Sequence, residues 1–254
     1  MKITFLGTGT SQGVPLIACT CSVCSSENEK DNRLRSSILI EDEGSVFVID
    51  TGPDLRQQLL RAKVKKLDAV IFTHEHKDHI AGLDDVRAFN YLHKKPVDIW
   101  ATQQVQDAIK REFAYAFSEF KYPGIPELKL HEINTESFTI NKTTFQPVDV
   151  LHYRLPVKAF RIKDFAYVTD ANHISSSEKE KLKNLDVLVI NALRKEEHIS
   201  HFTFDEAIEI SKELGAKLTY FTHISHQLGL HDEVSKELPE AIHLAYDGLE
   251  IDLL

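Results

Sequence analysis

The sequence predicts an α/β protein in which two β-rich layers are covered on their outer faces by helices, a four-layer α/β/β/α sandwich. Three observations lead there. Each half of the 254-residue chain begins in strand-like segments and ends in helical ones. The segment Leu67-Asp68-Ala69-Val70-Ile71-Phe72 is a short apolar run of the kind a strand buried on both faces shows. Residues able to bind a metal recur directly after such runs, where α/β folds build their active sites.

The elements follow in order. Residues 2–6 form the first strand. Gly7-Thr8-Gly9-Thr10-Ser11-Gln12-Gly13 resembles a dinucleotide loop only superficially, because Val14-Pro15 and a cysteine cluster follow instead of a helix. Its glycines are expected to allow a tight backbone path beside a site. Residues 25–35 are polar and suit a surface connection. Residues 37–40 and 46–49 read as a hairpin around Glu41-Asp42-Glu43-Gly44, and residues 54–60 as a helix. A helix over 84–93 and a strand over 97–101 come next. Thr102 then caps a helix on which Val105, Ile109, Phe113, Phe117 and Phe120 are expected to make one buried face, broken at residues 122–126. Short β segments over 128–150 end in 145–150, and a hairpin spans 160–162 and 165–169. Helix 177–182, strand 187–190, helix 204–214 and strand 218–222 complete the pattern, with a last strand before Asp247-Gly248 and residues 249–253 after it. No linker interrupts the chain, so residues 1–254 read as one domain.

Composition narrows the classes. Hydrophobic residues are 42% of the chain, enough for a sizeable core. No apolar stretch nears the ~20 residues a membrane helix needs, and the N-terminus lacks a signal-peptide core, so the expectation is a cytoplasmic protein with no membrane partner. Acidic residues outnumber basic ones 39 to 30, a net charge of −9 that repels polyanions and argues against a large nucleic-acid surface. The three cysteines, Cys19, Cys21 and Cys24, are clustered, which reads as metal thiolates rather than a disulfide framework. A closed zinc site then needs a fourth ligand from elsewhere, and His226 is the candidate.

The densest signal is His-Glu-His-Lys-Asp-His at residues 74–79. It puts His74, His76, Asp78 and His79 on one loop, a mix of imidazole and carboxylate suited to zinc, manganese or iron. His152, Asp170 and His223 each follow a β-type segment.

Taken in order, these residues resemble the H-x-H-x-D-H pattern and later ligands of the metallo-β-lactamase superfamily. The resemblance implies two divalent cations, zinc or manganese. His74, His76 and His152 would hold one, Asp78, His79 and His223 the other, with Asp170 bridging. Asp50 and Asp247 would orient ligands. An aspartate at the bridging position is the pattern of the phosphodiesterase branch. Cations about 3.5–4 Å apart lower the pKa of a bridging water and clamp a phosphoryl centre, so a metal-bound hydroxide replaces a side-chain nucleophile. The N-terminal glycine loop, the C-x-C-x-x-C cluster and Thr222-His223-Ile224-Ser225-His226-Gln227 together resemble the phosphoribosyl cyclic phosphodiesterase family. That family implies one structural zinc on Cys19, Cys21, Cys24 and His226, pinning the N-terminal loop beside the catalytic centre.

His201, in Ser200-His201-Phe202-Thr203, matches a histidine that in the phosphodiesterase branch donates a proton to the leaving oxygen. An imidazole near its ordinary pKa of ~6.5 can do so. His198 is a less favoured neighbour. The expected function is hydrolysis of a small cyclic phosphate or nucleotide-like phosphodiester, with Asp78 and His201 in the chemistry and a homodimer left open. Arg35, Arg154 and Lys158 are candidate phosphate contacts. The alternatives are a ribonuclease Z-like RNA endonuclease, which shares the H-x-T form, a thioester or lactone hydrolase, and a non-catalytic metal-binding accessory protein.

Overall fold

The computed structural model describes residues 1–120 and 122–253. Strands β1 (Lys2–Gly7), β2 (Ser37–Asp42), β3 (Ser45–Ile49), β4 (Ala69–Ile71), β5 (Val97–Ala101) and β6 (Leu128–Glu132) join β15 (Glu250–Asp252) in one sheet, in the order β15-β1-β2-β3-β4-β5-β6. The second sheet takes β7 (Phe138–Ile140), β8 (Thr143–His152), β9 (Leu155–Ile162), β10 (Phe165–Val168), β11 (His173–Ile174), β12 (Val187–Asn191), β13 (Leu218–Thr222) and β14 (Ile242–Leu244). Its order is β11-β8-β9-β10-β12-β13-β14, with β7 on β8. β3, β4, β5 and β6 are mutually parallel, as are β10, β12, β13 and β14.

Side chains alternate across each sheet, and both faces are apolar. Ile38, Ile40, Phe47 and Ile49 from the first sheet meet Phe145, Phe160, Phe165, Tyr167 and Val189 from the second in the central layer. Leu39, Val48 and Val70 face outward onto the helices α1 (Leu55–Arg61), α2 (Lys77–Ile80), α3 (Arg87–His93) and α4 (Gln103–Glu112). Ala166, Val168, Leu188 and Ile190 do the same toward α5 (Ser176–Lys181), α6 (Phe204–Leu214) and α7 (His231–Val234). The expected α/β/β/α sandwich is therefore observed. Among the described residues no helix is long and apolar enough to cross a membrane.

Two readings differ from expectation. Segment 25–35 is not wholly a surface connection, since Asp31 and Arg33 in it are buried. The helix capped by Thr102 ends at Glu112, a short 3-10 turn covers Ala114–Phe117, and Phe120 is exposed. The backbone leaves the helical region at Phe113 (φ −114°, ψ 39°), so the later aromatics no longer continue one helical face.

Phe145 is fully buried, edge-on to Phe47 and stacked on Phe138, both at 5.3 Å. Phe145→Ala should cost about 3–5 kcal/mol, seen as a lower denaturant midpoint at unchanged slope.

Candidate active site

The parallel strands of both sheets deliver their site residues to one rim. Asp50 follows β3, His74 follows Phe72-Thr73 after β4, Asp170 follows Thr169 after β10, and His223 follows β13. His152 is the last residue of β8. Three of these are left-handed without being glycine: Asp50 at φ +64°, Asp170 at +55° and His223 at +55°. That conformation costs roughly 1 kcal/mol or more per residue and turns the chain sharply at the strand end.

The turns are held by specific bonds. Asp50, fully buried, accepts from Thr73 N (2.9 Å), Thr73 Oγ1 (2.8 Å) and His79 Nδ1 (2.7 Å). Its loop lies flush against the loop carrying His79, because Thr51 N donates to His79 O and Gly82 N to Thr51 O. This closeness requires glycine twice. A Cβ on Gly52 would meet Asp78 O at 2.2 Å, and one on Gly82 would meet Gly52 O at 2.1 Å. Across the site, the buried amide of Asn191 accepts from Ala171 N (2.7 Å) and donates to Ala171 O (2.9 Å). It continues the β10–β12 pairing with a side chain and so fixes the turn at Asp170.

With these turns set, imidazoles and carboxylates converge. The ligating atoms of Asp78, His79, Asp170 and His223 all lie within 4.8 Å of one another. His79 Nε2 is 3.2 Å from Asp78 Oδ2 and from Asp170 Oδ2, and His223 Nδ1 is 3.2 Å from Asp170 Oδ2. Beside them, the rings of His74, His76 and His152 approach with centroids 4.6, 5.1 and 5.8 Å apart. Thr73 Oγ1 donates to Asp50, so it accepts from His74 Nδ1 (2.9 Å), and His74 Nε2 faces His76 Nδ1 at 3.1 Å. His152 Nδ1 donates to Ser200 O at 2.8 Å, which leaves its Nε2 free.

The donor set fits divalent cations. His79 Nε2 and His223 Nδ1 are buried without a hydrogen bond, an arrangement that a ligated cation resolves. Electrostatics points the same way. Burial opposes the charge of Asp170, yet the imidazoles of His223, His79 and His74 overcome it and hold its carboxyl well below the usual range. Burial likewise opposes a charged His79, but Asp170, Asp78 and Asp50 raise it well above its ordinary value. The carboxylates of Asp50, Asp78 and Asp170 around these imidazoles thus favour positive charge in the pocket.

His201 closes the group, its ring 4.5 Å from His152 and stacked 4.8 Å from His223, with Nδ1 3.9 Å from Asp170 Oδ1. Burial, and then His223, push it down to about 2, not near the ordinary imidazole value expected from sequence. It is neutral and offers one N–H. His198 stands aside, its ring 5.0 Å from His201 and its Nδ1 accepting from Ser200 N at 3.3 Å.

A second cluster lies on the adjoining loop. Cys19 Sγ and Cys21 Sγ are each 3.4 Å from His226 Nδ1, and Cys24 completes a group of four within 4.8 Å. His226 is therefore brought to the cysteines. The glycine loop runs beside it, with Thr10 N donating to Ile224 O and Ile224 N to Thr8 O.

Three residues behave differently from expectation. Asp247 touches no candidate ligand. It accepts from Thr8 N, Thr8 Oγ1 and Leu34 N, so it acts on the strand end that flanks Ile224. Arg35 pairs with Asp54 at 3.1 Å and Lys158 with Asp149 at 2.6 Å, which neutralises both as phosphate contacts. Thr73, Asn172 and Asn191 support the site without any sequence signal, since their partners lie far along the chain or on the backbone.

A β-lactamase superfamily domain model matches residues 46–224. The crystal structure of a diphosphatase from the PhnP family is similar at a TM-score of 0.93 and 40% identity, covering 98% of this chain and 96% of that one. An octanoyltransferase of Porphyromonas gingivalis is 42% identical over 98% of this chain and 51% of its own length. A ribonuclease Z of Nostoc sp. is 29% identical over 65% of this chain and 47% of its own. The chain spans about half the length of these curated relatives.

The cysteines give a pH test. The backbone N–H of Cys24, and then His226, lower the Cys21 thiol to about 6, while burial pushes Cys24 up to about 11. The thiolate is the nucleophile, so reactivity rises as pH passes each pKa. In chelator-treated protein, iodoacetamide should label Cys21 increasingly through pH 6 and Cys24 only toward pH 11, as read by peptide mass mapping. Equal labelling at neutral pH would contradict this geometry.

Proposed function

We propose, on the premise that the chain belongs to the metallo-β-lactamase superfamily and within it to hydrolases of PhnP type, that it is a phosphodiesterase acting on a small cyclic phosphate or nucleotide-like diester. The observation that carries the reading is the position of Asp170, 3.2 Å from both His79 and His223 and within 4.8 Å of His152 and His201. A carboxylate so placed suits a bridge between two cations. In this reading His74, His76 and His152 hold one cation and Asp78, His79 and His223 the other. When bound, the pair supplies a water of lowered pKa and positive charge for the phosphoryl oxygens.

The chain's own residues do the rest. Asp50 takes the Nδ1 proton of His79 and so fixes Nε2 toward the centre. Ser200 O does the same for His152. His201, neutral and buried, does not serve as the proton donor expected from sequence but gives a hydrogen bond from its N–H to charge developing on a phosphoryl oxygen. Cys19, Cys21, Cys24 and His226 hold a structural zinc that sets the loop bearing His223. The PhnP-family relative, a diphosphatase, supports a phosphoryl group as the reacting centre.

A second reading, thioester hydrolysis, is favoured by the octanoyltransferase relative, although that protein is about twice as long. The geometry would treat an acyl carbonyl as it treats a phosphoryl group.

Metal-loaded protein should hydrolyse bis-p-nitrophenyl phosphate. Asp78→Ala should lower kcat/KM by more than about 100-fold, beyond what losing a supporting partner costs. His201→Ala should lower it by about 10²–10³, the range of a lost hydrogen-bond donor to developing charge. No phosphodiester turnover together with rapid cleavage of an octanoyl thioester would move the assignment to the second reading.

Metal analysis should find about three ions per chain. Asp50→Asn should weaken catalytic-metal affinity about 10–100-fold, and Cys21→Ser should remove one ion. A Cys21→Ser protein with an unchanged metal count would refute the thiolate site.

A further inference from the structure

We infer that Tyr153 is a specificity-determining residue whose ring stacks on a planar group, a nucleobase or aryl ring, carried by the substrate beside its scissile phosphate. The inference rests on the phosphodiesterase reading and names the substrate class of that same site.

The argument begins with the backbone. Pairing of β8 with β9 runs to His152↔Leu155, which leaves Tyr153 and Arg154 as a two-residue loop. Tyr153 is the first of the two and sits at φ +59°. Hairpins favour Gly, Asn or Asp where φ is positive, and a bulky side chain there is an outlier. Such strain persists where the surroundings hold it, and it clusters at functional sites.

The surroundings do hold it. Tyr153 N donates to Asn172 Oδ1 at 2.8 Å. Asn172 Nδ2 donates to Ile199 O at 3.1 Å. The next carbonyl, Ser200 O, takes the Nδ1 proton of His152. One amide therefore ties the hairpin tip to the segment that carries His201, and Tyr153 is locked one residue from a candidate ligand.

The fold itself makes little use of the ring. Tyr153 is 47% exposed, and its hydroxyl has no hydrogen bond among the described residues. The Arg154 guanidinium lies 5.1 Å from the ring centroid and forms no ion pair among the described residues, unlike Arg35 and Lys158. Ile199, 66% exposed, flanks the same amide and extends the apolar rim. An exposed aromatic ring with an unneutralised cation beside it, one residue along the chain from a candidate ligand, suits a substrate that joins a planar ring to a phosphate. Base–aromatic stacking is tolerant of base identity and strong enough to discriminate.

The test uses zinc-loaded protein and two probes that share one sugar phosphate: adenosine 3′-monophosphate and methyl riboside 3-phosphate. Binding is measured by calorimetry. The wild type should bind the adenosine compound about tenfold tighter. Tyr153→Gly, which the positive φ accommodates, should abolish that preference, Tyr153→Phe should keep it, and affinity for the methyl riboside should stay constant. Equal wild-type affinities, or an equal loss on both probes in Tyr153→Gly, overturns the inference. Turnover of the corresponding 2′,3′-cyclic phosphates separates the two claims. Hydrolysis of both without discrimination leaves the diesterase reading standing and sinks the role of Tyr153. Selective binding of the adenosine compound with hydrolysis of neither cyclic phosphate supports the ring platform and sinks the diesterase reading.

Discussion

Asp50 lies fully buried at the end of β3, and its two oxygens take three donors: the amide and hydroxyl of Thr73 and the ring N–H of His79. Burial pushes its carboxyl upward, yet the arrangement works only if it stays an acceptor. Through these bonds the ends of β3 and β4 and the start of α2 become one unit. His79 then aims at Asp170, and Asp170 at His223, so a polar chain crosses from the first sheet to the second. Beneath it, Phe47, Phe145 and Phe160 join the same two sheets through apolar packing. The aromatic layer sets the separation of the sheets, and the polar chain sets their register at the rim.

The loop bearing His223 is fixed from two further directions. Cysteines and His226 grip it on one side. On the other, buried Arg33 donates to Thr8 Oγ1 and Ala245 O and meets His231 Nδ1 at 3.1 Å, while Asp247 holds Thr8. Burial lowers Arg33 to about 10, so it remains charged at neutral pH, with Asp247 and Asp31 near enough to favour the charge. The N-terminal segment is thus a clamp on the site rather than a mere entry strand.

Much of this was legible in the sequence because the candidate ligands sit directly beyond strand-length apolar runs. His74, His76, Asp78 and His79 share one loop, and His152, Asp170 and His223 each mark a strand end, so order along the chain becomes proximity at the rim. His226, three residues past His223, was legible for the same reason. What failed was whatever depended on distant partners. Nothing near Asp247 in sequence shows that Thr8 and Leu34 will occupy it. Arg35 and Lys158 look free until Asp54 and Asp149 neutralise them. The amides of Asn172 and Asn191 bond to backbone, which carries no residue-specific signal. The helix after Thr102 misled because the apolar stripe runs on past Phe113, where the backbone leaves the helix without any Gly or Pro to signal it.

The left-handed backbone at Asp50, Asp170 and His223 has a consequence for how such a site endures. Glycine would fit each turn with less strain, so at these three positions folding and chemistry favour different residues. Selection for stability alone would erode the site from its turns outward, while the apolar layers beneath persisted. At these three turns, then, the residue that would ease the backbone is not one that could bind or orient a cation, so local stability and site composition pull apart.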